Sequence, residues 1–198
     1  MISDILTKIR AVVQDLPKAD FQVFLYSNSN VFKLTEPNIN TVTQVLVRGT
    51  ALGSNQSFSF DEDTNEVEID GVSFNLNDPI EIRYTFTKFS DEELIEYIRA
   101  SLSWLSLYEV GEDDFQMNTD TGLIFPNISK KEEDLVAMIA SILINPDFTR
   151  YKLSNLSISY PDKVDKETKI ATLITRFKHG SGYGDVIQWG DFGLERLL

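Results

Sequence analysis

The sequence predicts an α+β protein: a helical bundle into which a small antiparallel β-sandwich or barrel module is inserted. Hydrophobic residues recur at helical spacing in residues 2–16, switch to a period of two from Phe21 to about Phe89, and return to helical spacing after Ser90. The chain has 198 residues, 42% of them hydrophobic and 11% aromatic, which is enough to bury a core and argues against a disordered chain. These patterns divide it into a helix within 1–20, a β module at 21–89, a helical domain at 90–180 and an extended tail at 181–198.

The first helix puts Ile2, Ile5, Leu6, Ile9, Val12, Val13 and Leu16 on one face, and Pro17 ends it. A helix this short and amphipathic needs a packing partner, here the helical domain. The strand-like runs that follow are "FQVFLY", "VFKL", "TQVLVRG", "SFSFD", "EVEID" and "IEIRYTF", each bounded by turn residues. Between two of them, "DEDTNEVEID" alternates Asp61, Asp63 and Asn65 as a calcium loop would. Glu66 stands where such a loop needs glycine and Val72 where it needs the bidentate glutamate, so a solvated hairpin tip is the better reading.

The stretch "SDEELIEYIRASLSWLSLY" opens with Ser90 and Glu93 in capping-box spacing and acids at the positive end of the helix dipole. Leu94, Ile95, Ile98, Leu102, Leu105 and Tyr108 form its main stripe. Tyr97, Trp104 and Leu107 widen that stripe beyond what one packing face requires. The acidic, turn-rich "EVGEDDFQMNTDTGLIFPN" is longer than an ordinary connector. Ser129 and Glu132 then repeat the capping spacing before "KKEEDLVAMIASILIN", which Pro146 stops. "PDFTRYKLSNLSISY" is ambiguous between helix and strand, and "DKVDKETKIATLITRFKHG" is a helix closed by Gly180.

Charge and residue usage narrow the function. The net charge is −13, and residues 90–135 alone hold 12 acidic against 3 basic residues, a surface that repels phosphate backbones. No apolar run approaches the roughly 20 residues of a membrane-spanning helix, and the charged start lacks a signal peptide's apolar segment, so cytoplasmic synthesis is expected. With no cysteine, disulfides and cysteine-ligated zinc are excluded. A nucleophile–histidine–acid system would have to use His179, the single histidine, with Ser181 or Ser154, but it lies at a helix end beside Gly180 with no nucleophile-elbow motif and reads as an exposed C-terminal cap. "HGSGYGD" lacks the phosphate-loop pattern. No catalytic residue, cofactor or metal site is expected. The tail carries Tyr183, Val186, Ile187, Trp189, Phe192, Leu194, Leu197 and Leu198 on a glycine-punctuated segment that either caps its own core or docks into another subunit.

The helical half resembles the head-tail connector (adaptor, or head-completion) proteins of tailed bacteriophages. The resemblance rests on "SDEELIEYIRASLSWLSLY", "EEDLVAMIASILI", "DKETKIATLITRFK" and the extended tail, and covers residues 90–198 plus the first helix. The β module departs from the smallest members of that family and is similar to the small β-sandwich decorations of phage structural proteins. The resemblance implies a homo-oligomeric, dodecameric ring at the neck of the virion, assembled in the host cytoplasm between the portal protein and tail or neck proteins. DNA would pass through it without specific binding. Tyr183, Ile187, Trp189, Phe192, Leu194 and Leu197 would then bind the portal, and Glu112, Asp113, Asp114 and Asp120 would face the channel. Two other readings stand beside it: another neck, tail or baseplate structural protein, and a small carboxylate-dependent hydrolase.

Overall fold

The computed structural model describes residues 1–110, 114–154 and 156–179, and the backbone of Val186 and Ile187. In chain order the elements are α1 (Ile2–Val13), β1 (Lys18–Leu25), β2 (Val31–Lys33), β3 (Ile39–Val47), β4 (Thr50–Ala51), β5 (Ser57–Asp61), β6 (Glu66–Asp70) and β7 (Pro79–Phe86). They continue with α2 (Asp91–Leu107), β8 (Gln116–Asn118), β9 (Leu123–Phe125), α3 (Lys130–Ile144), β10 (Arg150–Lys152), β11 (Ser157–Ser159), α4 (Lys166–Lys178) and β12 (Val186–Ile187). Two compact units result: Met1–Asp15 with Asp91–Leu198, and Leu16–Ser90.

The expected helical bundle is not what this chain builds. Among the described residues, four helices stand against twelve strands in four small sheets, and strands interrupt the helical unit repeatedly. Two segments account for the difference. The long acidic connector folds into the β8–β9 hairpin, because Asn118 Oδ1 accepts the Thr121 N–H at 3.0 Å and Gly122 takes a positive φ of 66°, which closes a tight turn. The ambiguous stretch between Pro146 and Pro161 becomes β10 and β11, an antiparallel pair that buries Tyr151, Leu156, Ile158 and Tyr160. β12 joins β11 in parallel, with Ile187 beside Ile158.

Within the helical unit α3 is the centre. Every residue from Glu133 to Ile142 is buried, so the helix is apolar nearly all round and packs against α1, α2 and α4. Its start is fixed by a complete capping box: Ser129 Oγ accepts the Glu132 N–H at 3.3 Å, and Glu132 Oε2 accepts the Ser129 N–H at 2.6 Å. α1 buries Ile2, Ile5, Ile9 and Val12 and stops at Gln14, whose φ of 59° is left-handed. Arg10 then bonds Asp15 at 2.6 Å and Asp91 at 2.7 Å, tying together the residues where the chain leaves this unit and re-enters it.

In the other unit the sheets β1-β7-β3-β4 and β2-β6-β5 share one core, formed by Phe32, Leu34, Val42, Val45, Val67, Ile69, Ile80, Ile82 and Tyr84. The alternation of β7, with Ile80, Ile82 and Tyr84 inward, is the pattern of a half-buried strand. Arg48 and Gly49, both at positive φ, make the two-residue turn that joins β3 to β4. At Gly71 the φ is 74° and an added Cβ would lie 2.5 Å from the Asn55 carbonyl oxygen, so only glycine fits.

Candidate interaction surface

Among the described residues the most exposed large apolar side chain on a helix is Leu107 of α2, at 71% exposure. The buried side of α2 carries Leu94, Ile98, Leu102 and Leu105. One flank of the same helix carries Tyr97 and Trp104, two turns apart, and Tyr108 follows just past its last residue on the same side; each is half-buried. The rings of Trp104 and Tyr108 stack with centroids 5.9 Å apart. No basic residue of α2 itself offsets the negative end of its dipole, and the Lys178 ammonium of α4 does so by bonding the Tyr108 carbonyl at 2.8 Å. Below the helix end, Ser106 Oγ accepts the Phe115 N–H at 3.4 Å, and the β8–β9 hairpin exposes Leu123 and Phe125. Tyr97, Trp104 and Leu107 are the residues that widen the stripe in the sequence.

Of the four acids proposed to face a channel, Asp114 and Asp120 are exposed, the first just before β8 and the second in the hairpin turn, while Glu112 and Asp113 lie outside the described residues. The hairpin strand separates Asp114 from Asp120, so these two do not form one cluster. Of the residues proposed for portal binding, Ile187 is described only as backbone in β12; Tyr183, Trp189, Phe192, Leu194 and Leu197 lie outside the described residues. His179 is the exposed C-cap of α4, and Ser154 is exposed. Asp61 closes its own hairpin by accepting the Asp63 and Thr64 N–H groups at 2.9 and 3.3 Å. Among the described residues no group of three acids or histidines is arranged to hold a metal.

A depression of about 360 Å³ in the β unit is lined by Val47, Arg48, Thr50, Ala51, Gln56 and Val72. Its lining has no carboxylate, and the Arg48 guanidinium is held by the Ser73 carbonyl at 3.2 Å and lies 3.7 Å from Asp78. It offers no pair of acids for hydrolysis.

Two charged clusters were not legible in the sequence. Lys8 bonds Glu133 at 2.9 Å and Asp134 at 2.7 Å, both carboxylates being nearly buried. Burial works against the Lys8 charge, but the bonds and charges of Asp134 and Glu133 outweigh it and hold its pKa above the ordinary value. Lys169 is only 2% exposed: its ammonium is bonded by the Pro146 and Phe148 carbonyls and lies 5.9 and 5.6 Å from the Tyr151 and Tyr160 ring centroids. Burial lowers its pKa, with Asp147 and Asp165 opposing. Helical spacing marks both lysines only as polar positions, and their partners come from other elements or loops: 125 and 126 residues away for Lys8, and between 9 and 23 for Lys169.

The tyrosines around Lys169 make alkaline stability measurable. Burial pushes the Tyr160 phenol far above its ordinary value of 10.0, with Tyr151 adding to the shift and Arg176 opposing it, and burial with Asp147 does the same to Tyr151. The fold therefore holds both phenols neutral where the unfolded chain ionises them, so stability falls as pH rises past 10. Lys169 acts in the opposite sense, its burial cost easing as pH climbs from its depressed value towards 10.5. In a tyrosinate absorbance titration Tyr151 and Tyr160 should ionise only together with the loss of the folded circular dichroism signal. Ionisation of all tyrosines in the folded protein would contradict their burial.

No family model matches the chain, and no curated protein matches it.

Proposed function

We propose that this chain is a structural protein of a tailed-phage virion, a head-tail connector that forms a ring between the portal and the tail or neck and lets DNA pass. The observation that carries this reading is the second apolar flank of α2, where Tyr97, Trp104, Tyr108 and above all Leu107 are left partly or largely uncovered beside a helix face that is already packed. A subunit in a closed ring needs such a surface for its neighbour as well as a core of its own. The acidic excess of residues 90–135 supports a wall to which DNA does not adhere, with Asp114 and Asp120 as exposed contributors. The tail would reach the portal.

Quantitative mass spectrometry of purified particles tests the reading, scaling this chain to the major capsid protein. About twelve copies per particle are expected from a single ring at one vertex. Leu107→Arg should leave the circular dichroism spectrum unchanged, because the side chain is exposed, and should lower the copy number at least several-fold. Absence of the wild-type chain from particles would overturn the proposal. A copy number unrelated to a ring would favour another neck, tail or baseplate role.

A further inference from the structure

We propose that the free chain self-associates through β1, two copies pairing antiparallel about Val23 to join their sheets into one. β1 is at the end of its sheet, and among the described residues it pairs with β7 alone. Its outer row is apolar and uncovered: Phe21 is 58%, Val23 53% and Leu25 61% exposed.

The hydrogen-bond pattern shows which backbone groups are available on that edge. Just beyond the strand, the Tyr26 N–H donates to Asp78 on the β7 side at 2.9 Å, so in an antiparallel ladder Phe24 and Gln22 also face β7, and Phe21, Val23 and Leu25 face outwards. Pro79, which has no N–H, lies opposite Leu25 where none is needed. The Phe21 N–H is taken by its neighbour Asp20, whose Oδ1 accepts it at 2.8 Å. The outward groups of Val23 and Leu25 and the Phe21 carbonyl have no partner in the β7 ladder. The same three residues thus carry both the outward backbone groups and the uncovered side chains.

A two-fold axis through Val23 satisfies both sets at once. Val23 of one copy meets Val23 of the other, and Phe21 meets Leu25 on either side, so outward backbone groups face each other and the apolar rows lie side by side. Shifting the register by one residue would set outward groups against groups already used by β7. Electrostatics favours the same place. Residues 21–32 carry no charge in a chain of net charge −13, so two copies approach there with the least mutual repulsion. One strand pair covers less than the roughly 800 Å² per partner of a standard stable interface, so the dimer is weak and appears only at high micromolar concentration. Being two-fold, this contact cannot be the repeated contact of a ring, and it is independent of the reading above.

Sedimentation velocity of the full-length chain over a wide concentration range tests it. A concentration-dependent dimer is expected. Val23→Pro removes an N–H that β7 does not use, twice per dimer, and should weaken association by roughly tenfold or more with the β-sheet circular dichroism retained. Val23→Lys, at the same exposed position, should do likewise through charge repulsion. Asp20→Ala should free the Phe21 N–H and tighten the dimer. A chain that stays monomeric throughout overturns the proposal, and so does association that both Val23 variants leave unchanged, whatever number of copies it contains.

Discussion

Ile139→Asp should abolish folding of the helical unit, and Ile139→Ala should destabilise it by about 2–5 kcal/mol. Ile139 is fully buried at the middle of α3, the helix against which α1, α2 and α4 all pack. Truncation removes apolar contact and leaves a cavity that those helices cannot close by a local shift. The carboxylate adds an unpaired charge in the same place. Hydrogen exchange resolved by residue is the measurement. Protection should be lost along α1, α2 and α3 while the amides of Val42–Val47 and Ile80–Tyr84 keep theirs, because those strands have their own core. Simultaneous loss of protection in both units would mean that they unfold as one.

Lys8→Met should cost about 3 kcal/mol at neutral pH, towards the low end for breaking a buried ion pair because a quarter of the Lys8 side chain is exposed. The substitution keeps the aliphatic stem but removes the ammonium that Glu133 and Asp134 share at 2.9 and 2.7 Å. These carboxylates open the most buried stretch of α3, so their discomfort is passed to the central helix. The triple variant Lys8→Met, Glu133→Gln, Asp134→Asn should recover most of the loss, since no buried charge then lacks its partner. The pH dependence follows from the raised folded pKa of Lys8. Its contribution is fully present below the ordinary 10.5 and disappears as pH rises through the higher folded value. Chemical denaturation of wild type and variant at neutral pH and above 10.5 should therefore give a gap that narrows only at the alkaline end. A gap already closed at neutral pH would show the cluster to be energetically idle.

Much of the local structure was legible before any tertiary contact. The spacing of Ile2, Ile5, Ile9 and Val12 marks α1, and the Ser129–Glu132 pair marks the start of α3, because each depends on interactions within a few residues. The alternation in "IEIRYTF" marks β7 for the same reason. The bundle expectation failed where short strands do not advertise themselves: β8, β9, β10 and β11 have three residues each, too few to establish a period. The aromatic flank of α2 was legible as excess apolar width. Whether that excess is covered was not, since exposure depends on which neighbours arrive.

By itself, then, the sequence determined where helices begin, which strands alternate and how the acid is distributed, all of which are set by neighbours along the chain. Only the tertiary structure decided that Lys8 meets Glu133 and Asp134, that Lys169 sits between Tyr151 and Tyr160, and that β1 lies at a sheet edge with Phe21, Val23 and Leu25 uncovered. Those arrangements are made between separate elements rather than within one. Spacing along one element states which face a side chain occupies, but the energy of a buried charge or an open strand edge is set by what lies across from it.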